Sequence, residues 1–137
     1  MSLTEAMRQF LDAPRFAVLA TVDDGGAPRQ TVVWYELRGD RILFNTKGGR
    51  GKERNLARDR RVSLCVEHGY RFISIDGHVI EEIRDQETAK TDILRLGVRY
   101  DGPVEADRQW RELWSKQERV TYLMSIERVH APGFEAT

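Results

Sequence analysis

The chain has few of the residues that form disulfides and metal clusters. Of its 137 residues one is cysteine, Cys65, and three are histidines. A single thiol cannot close an intrachain disulfide or anchor a zinc cluster. His68, His78 and His130 share no spacing typical of metal ligands. We therefore expect no metal site, and we interpret Cys65 as a small buried residue within a strand.

The sequence also lacks long apolar runs and an excess of charge of either sign. No apolar run approaches the ~20 residues that a membrane helix needs, and no secretory signal is evident at the start. We expect a cytoplasmic protein with no membrane partner. The 22 basic and 22 acidic residues give a formal net charge of +0, which argues against a strongly basic nucleic-acid binder. The ordinary globular composition predicts a single domain over residues 1–137.

The order of patterns along the chain predicts a mainly β, α+β protein. A helix is expected to begin at the capping-box pattern of Ser2 and Glu5 and to end before Pro14. Apolar, β-branched runs then predict six strands, over residues 16–22, 29–37, 42–44, 62–67, 72–80 and 120–129. Tight turns join the first three strands and leave no room for parallel crossovers. The pattern favours a small closed or split antiparallel β-barrel of six strands, since closure removes exposed sheet edges.

Three more helices are expected around this barrel. They cover residues 53–59, the segment from a cap at Asp85 to a stop at Gly102, and residues from about 106 to 116. Gly77, within the fifth strand, stands where a bulge or a barrel corner would be needed. The helices are therefore expected to be peripheral to the sheet.

Positive charge is concentrated in the segment from residue 47 to residue 61. Seven basic and two acidic residues leave this segment with a net charge of +5. The glycines at 48, 49 and 51 would let a ligand approach the backbone, and the helix that follows presents free N–H groups. Arg and Lys donors beside a helix start suit an anion, best a phosphate. The alternative is a merely solvated charged face.

The same segment differs from a Walker A phosphate loop. Gly51 and Lys52 are followed by Glu53, where Ser or Thr would bind magnesium. Thr46 stands at the position of the first glycine and instead adds a hydroxyl group at the end of a strand. A nucleoside triphosphatase is therefore not indicated.

The segment Thr46–Leu64 (TKGGRGKERNLARDRRVSL) and the hairpin Ala20–Pro28 (ATVDDGGAP) carry a family resemblance. They resemble the pyridoxamine 5′-phosphate oxidase-like split-barrel flavoproteins. More narrowly, they are similar to the branch of deazaflavin (coenzyme F420)-dependent reductases. The resemblance covers residues 16–80 and the final strand. It implies a six-stranded split barrel, a homodimer with two cofactor sites at the subunit interface, and a small-molecule substrate.

The resemblance also implies which residues bind the cofactor. It puts the cofactor phosphate near Thr46, Arg50, Lys52 and Asn55, and the ring system along the second strand near Thr31 and Val33. These residue types suit the role, because lysine is a compact point charge, arginine a bidentate fork, and asparagine an amide donor. No catalytic side chain is assigned.

One departure from the family pattern bears on the reaction. FMN-using oxidases that resemble this chain carry an arginine on the second strand and a lysine five residues later, whereas here Arg29 is followed at that distance by Trp34. Pyridoxamine phosphate oxidase activity is therefore not expected. The expected function is hydride transfer between reduced F420 and a small electron-poor unsaturated substrate. The alternative is FMN as cofactor, in an oxidoreductase or in a non-catalytic flavin-binding module.

Overall fold

A computed structural model describes residues 3–134 of the chain. Within them lie four α-helices, α1 to α4, and eight strands, β1 to β8. The helices are Glu5–Asp12, Gly51–Arg58, Gln86–Asp101 and Pro103–Glu112, and a short 3₁₀ turn covers Trp114–Lys116. The strands are Ala17–Val22, Pro28–Val33, Glu36–Arg38, Arg41–Lys47, Arg61–His68, Arg71–Ile83, Arg119–Ser125 and Arg128–His130.

The strands form one curled antiparallel sheet, a half-barrel with helices around it. The strand order is β2-β1-β5-β6-β7-β4-β3, and β8 pairs with β6. The predicted antiparallel split barrel is confirmed, but the predicted number of strands was wrong. The second predicted strand breaks after Val33, so that β2 pairs with β1 and β3 with β4. The last predicted strand breaks after Ser125, and β8 returns to β6.

The long strand β6 joins the two halves of the sheet. Its first part pairs with β5 and its second part with β7, with a register shift between Val79 and Glu81. Gly77 lies at this crossing, where a Cβ atom would be 2.0 Å from the backbone oxygen of Ser125. Only glycine permits so close an approach of two backbones. The expected corner at Gly77 is therefore confirmed, with the bulge just after it.

The helices agree with the sequence patterns better in their centres than at their ends. Ser2 lies outside the described residues, and Thr4 caps α1 by accepting a hydrogen bond from the backbone N–H of Met7 at 3.2 Å. Asp85 caps α3, as predicted, and α3 ends just before Gly102. Helix α2 begins at residue 51 rather than 53, and α4 at residue 103 rather than 106. The α4 start fits proline at its first position.

Two apolar clusters hold the fold together. The larger fills the half-barrel with alternate residues of the strands, and α1 closes it with Phe10 and Leu11. The smaller lies between α3, α4 and the outer face of β4 and β7, around Leu96 and Trp114. Strand β7 is consequently buried along almost its whole length. Helices α3 and α4 thus cover one side of the sheet and form a wall beside the loop that follows β4.

The opposite part of the sheet has an uncovered outer face. Val18 of β1 is 38% exposed and Val32 of β2 is 66% exposed. Cys65, on the same face of β5, is only half-buried, so the expectation of a buried thiol was wrong. Its side chain points outward because Leu64 and Val66 take the inward positions of the alternating strand. No helix within residues 3–134 is long and apolar enough to cross a membrane.

Candidate functional site

The loop between β4 and α2 is fixed by three hydrogen bonds, two with α2 and one with the backbone of Glu118. Helix α2 binds it with two side chains. Glu53 accepts a hydrogen bond from the Gly49 N–H at 2.7 Å, and Arg54 donates one to the Gly49 carbonyl at 2.9 Å. The Gly48 N–H donates to the backbone oxygen of Glu118 at 2.9 Å. Gly49 has a φ of 86°, which favours glycine there. The loop is therefore built in one conformation at the start of α2.

Two clefts meet at the start of α2. The first cleft, of about 440 Å³, lies between β2, β4 and the α3–α4 pair, and its lining includes Val33, Trp34, Thr46, Trp114 and Arg119. The second cleft, of about 730 Å³, lies between β2 and α2, and its lining includes Thr21, Asp23, Arg29, Thr31 and Asn55. Arg50 and Lys52 line both clefts.

The structure therefore brings the six predicted cofactor residues into two adjoining clefts. Two of the six, Arg50 and Lys52, lie between the clefts, and the other four are divided between them. Val33 and Thr46 lie in the first cleft, and Thr31 and Asn55 in the second. Lys52 connects the two groups, because its Nζ donates a hydrogen bond to Thr31 Oγ1 at 3.1 Å. Lys52 therefore lies within reach of a ligand in either cleft.

Two of the predicted residues already have partners within the chain. The Asn55 side-chain amide donates to Thr21 Oγ1 at 3.1 Å, and its oxygen accepts from Arg58 at 3.0 Å. The Thr46 hydroxyl donates to the Lys47 carbonyl at the long distance of 3.4 Å. Asn55 thus fixes α2 to β1, whereas the weak bond leaves the Thr46 hydroxyl easily redirected to a ligand.

A third cation, Arg119, completes the site and was not predicted from the sequence. Its side chain is only 8% exposed and lines the first cleft. The pairing of β4 with β7 sets Arg119 directly opposite Lys47. Because this arginine belongs to the last part of the chain, its contribution depends on strand order, which local sequence patterns do not reveal. We call Arg50, Lys52 and Arg119 the cation triad.

The electrostatics of the cation triad are those of uncompensated positive charge. Burial, followed by the repulsion of Arg50, lowers the pKa of Arg119 to about 10. Burial, together with Arg50 and Arg119, lowers the pKa of Lys52 below its usual value. Among residues 3–134, no carboxylate oxygen lies within 4.0 Å of a charged nitrogen of the triad. Such an arrangement is suited to binding an anion.

An aromatic wall stands beside the triad in the first cleft. The Trp34 ring stacks on Tyr100 with a centroid separation of 5.1 Å and an interplanar angle of 9°. Trp114 meets Trp34 edge-on at 6.2 Å. The cleft therefore combines a cationic end with an apolar aromatic side, a combination that suits a flat ligand bearing an anionic group.

The described part of the chain offers no comparable arrangement for a metal. No group of three His, Cys, Asp or Glu side chains within residues 3–134 is placed to hold an ion. The cation triad and the aromatic wall support anion binding beside an apolar surface.

The half-barrel with a cationic loop and an aromatic wall defines a split-barrel protein with an anion-binding cleft. The family model described as pyridoxamine 5′-phosphate oxidase matches residues 3–130. The chain therefore belongs to the pyridoxamine 5′-phosphate oxidase family. No curated protein matches the chain.

Solved structures share this fold at low sequence identity. An F420 reductase is 24% identical, with a TM-score of 0.77 over 93% of this chain and 98% of the other. A conserved hypothetical protein from Mycobacterium tuberculosis is 27% identical, with a TM-score of 0.78 over 100% of this chain and 92% of the other. An FAD-binding protein from Mesorhizobium loti is 23% identical, with a TM-score of 0.66 over 96% and 95%.

Proposed function

We propose that this protein is an oxidoreductase that transfers a hydride between reduced coenzyme F420 and a small electron-poor unsaturated substrate. The observation that carries the proposal is the cation triad, which has no carboxylate partner within the described residues and adjoins an aromatic wall. Membership in the pyridoxamine 5′-phosphate oxidase family supports redox chemistry. The resemblance of the loop to F420-dependent reductases, together with the fold shared with an F420 reductase, supports the deazaflavin.

The residues present fit such a cofactor. A phosphate needs charged donors, which Arg50, Lys52 and Arg119 supply, and a flat ring needs an apolar slot, which Val33 and Trp34 line. When bound, the cofactor supplies the hydride chemistry. The side chains of the chain bind, orient and desolvate: the triad holds the anionic group, and the aromatic wall excludes water from one side.

FMN is the second candidate cofactor. It carries a phosphate that the same cation triad would hold, and the fold is shared with an FAD-binding protein. Trp34 stands where FMN-using oxidases of the family carry a lysine, which favours the deazaflavin. Because no catalytic side chain is assigned, an FMN-binding module without turnover is the alternative function.

We further propose that the protein is a homodimer whose second copy covers the exposed outer face of β1 and β2. Residues 28–32 of β2 are exposed on both sides of the strand, which is unusual for a strand of a compact domain. Exposed Val18 and Val32 on this face provide apolar surface for a partner. A second copy here would lie close to both clefts and would complete their walls.

Titration with F420 and with FMN tests the proposed function. The proposal predicts saturable binding of F420, tighter than that of FMN, and turnover of an unsaturated substrate by the protein with reduced F420. Tighter binding of FMN, with no turnover against quinones, nitro compounds and tetrapyrroles, would favour the flavin-binding module. Binding of neither cofactor at micromolar concentrations would contradict both.

A further inference from the structure

We propose that Asn45 and Gln117 are positioning residues that hold the Arg119 guanidinium without neutralising it, so that its charge is reserved for an anionic ligand. The inference rests on the proposed function and goes beyond it, because it assigns roles to two residues outside the predicted cofactor set. It concerns Arg119, the member of the cation triad that lies on β7 and is paired with β4.

Arg119 is held at its backbone and at two of its side-chain nitrogens. The Arg119 Nε donates to Asn45 Oδ1 at 2.9 Å, and Nη1 donates to Gln117 Oε1 at 2.8 Å. Gln86, the first residue of α3, accepts from the Arg119 N–H and donates to its carbonyl, both at 2.9 Å. Both partners of the guanidinium are neutral amides. They fix the geometry of the cation and leave its charge intact.

The orientation of Asn45 is itself determined by its surroundings. Its Nδ2 donates to the Ala89 carbonyl and to Thr121 Oγ1, both at 2.9 Å. The Thr121 hydroxyl in turn donates to Asp92 Oδ2 at 2.8 Å. Since the Ala89 carbonyl and the Thr121 hydroxyl accept from the Asn45 NH₂ group, the Asn45 oxygen faces Arg119. The chain of bonds from Asp92 thus presents an acceptor, rather than a charge, to the arginine.

One end of the Arg119 guanidinium, the Nη2 group, makes no hydrogen bond with any of residues 3–134. It is not among the buried polar atoms without a partner in those residues, so it remains reachable from outside. Because Arg119 lines the first cleft, a ligand there can accept from this group.

Other arginines of the chain differ from Arg119, because they pair with carboxylates rather than with amides. Arg95 pairs with Glu36 at 2.8 Å and with Asp92 at 3.0 Å. Arg84, in the neighbourhood of the loop between β4 and α2, pairs with Glu53 at 2.8 Å. A carboxylate at position 45 or 117 would likewise form an ion pair with Arg119, and an anionic ligand would then have to compete with it.

The Gln117→Glu variant tests the inference, with inorganic phosphate as the probe. This change is nearly isosteric, and Gln117 Nε2 makes no hydrogen bond with residues 3–134, so the variant adds charge and little else. We expect phosphate affinity to fall about ten- to a hundredfold at constant ionic strength. The thermal midpoint without phosphate should stay equal or rise, because a buried cation gains a partner. The midpoint gain that phosphate gives the wild-type protein should shrink correspondingly.

The Gln9→Glu variant is the matched control. Gln9 is exposed on α1 and lines neither cleft, so the same change of net charge should leave phosphate affinity within about twofold, since distant exposed charges are screened. Unchanged affinity in Gln117→Glu, or a loss equal to that in the control, would overturn the inference. So would a wild-type protein that does not bind phosphate.

A spectroscopic measurement on the wild-type protein covers the case in which Gln117→Glu does not fold. The nitrogen resonance of Arg119 Nε, assigned through its loss in Arg119→Lys, should shift as phosphate is added. The absence of a shift would overturn the inference. Phosphate binding through Arg119 in a protein that binds neither F420 nor FMN would instead sustain the anion site and contradict the proposed function.

Discussion

Lys52 lies where the two clefts meet, since it lines both, as Arg50 does, and donates a hydrogen bond to Thr31 of β2. Its surroundings lower its pKa, first through burial and then through the neighbouring arginines. Its charge is therefore less favourable in the unliganded protein than in water, and a bound anion would stabilise it. This makes Lys52 a residue whose removal affects ligand binding more than folding.

The Lys52→Ala variant is expected to bind F420, FMN and inorganic phosphate about ten- to a hundredfold more weakly. The reason is the loss of one charge-assisted hydrogen bond of roughly 1.5–3 kcal/mol. The free energy of unfolding should barely change, because Lys52 makes no ion pair with residues 3–134 and its hydrogen bond to Thr31 is exposed. Calorimetric titration and urea unfolding measure the two quantities. Lys116→Ala, which removes a charge from the exposed side of the 3₁₀ turn, serves as control. Equal affinities of the two variants would place the anion elsewhere.

The lowered pKa values of the triad also predict a pH dependence of anion binding. Phosphate binds the protonated forms of Lys52 and Arg119, so affinity is full below their pKa values in the folded protein and falls as pH rises through them. The pKa of Arg119 is lowered to about 10, and that of Lys52 lies below its usual 10.5. The decline should therefore begin at a lower pH than an ordinary lysine would give.

Phosphate titrations from about pH 8.5 upward check this profile, since inorganic phosphate is predominantly a dianion there. Lys52→Arg should move the first part of the decline to higher pH, because at the same position an arginine holds its proton to higher pH than a lysine. A wild-type affinity that stays constant up to about pH 10.5 would be inconsistent with the account.

At the level of elements, the outer face of β1 and β2 is exposed, whereas helices cover the outer face of β4 and β7. Helices α3 and α4 bury the outer face of β4 and β7, whereas Val18 and Val32 face outward. The outer positions of β5 add the small residues Ser63 and Cys65, which would allow another sheet or loop to approach closely. A second copy of the chain is the proposed cover.

The Val18→Asp variant tests this interface. In the proposed homodimer the new carboxylate would be buried without a partner, so the variant should be a monomer of 15.9 kDa, whereas the wild type has twice this mass. Val104→Asp changes the charge equally on α4, where the side chain is 85% exposed, and should remain a dimer. Light scattering after size-exclusion chromatography distinguishes the outcomes. A monomeric wild type, or a dimeric Val18→Asp, would contradict the proposed interface.

For the whole molecule, the sequence predicted local structure well and long-range arrangement incompletely. The antiparallel half-barrel, the cap at Asp85 and the corner at Gly77 followed from alternation, capping and glycine placement, all of which are local signals. The division of two predicted strands did not follow, because each piece has β-type residues and only its partner differs.

The candidate site shows the same division. The loop with Arg50 and Lys52 could be predicted because its glycines and basic residues are neighbours in sequence. Arg119 could not, because it enters the first cleft only through the pairing of β7 with β4. Asn55 was expected to donate to a phosphate, whereas in the structure its side-chain amide donates a hydrogen bond to Thr21 Oγ1. A single sequence does not specify which polar side chains satisfy one another in the folded chain.

The central claim is that the cation triad binds the phosphate of a flat redox cofactor. Comparison of FMN with riboflavin, which has the same ring system without the phosphate, tests it most directly, by titration of the wild-type protein and Lys52→Ala. The account predicts that the wild type binds FMN at least about tenfold more tightly than riboflavin, and that Lys52→Ala reduces this ratio. Equal affinity of the wild-type protein for FMN and riboflavin would contradict it.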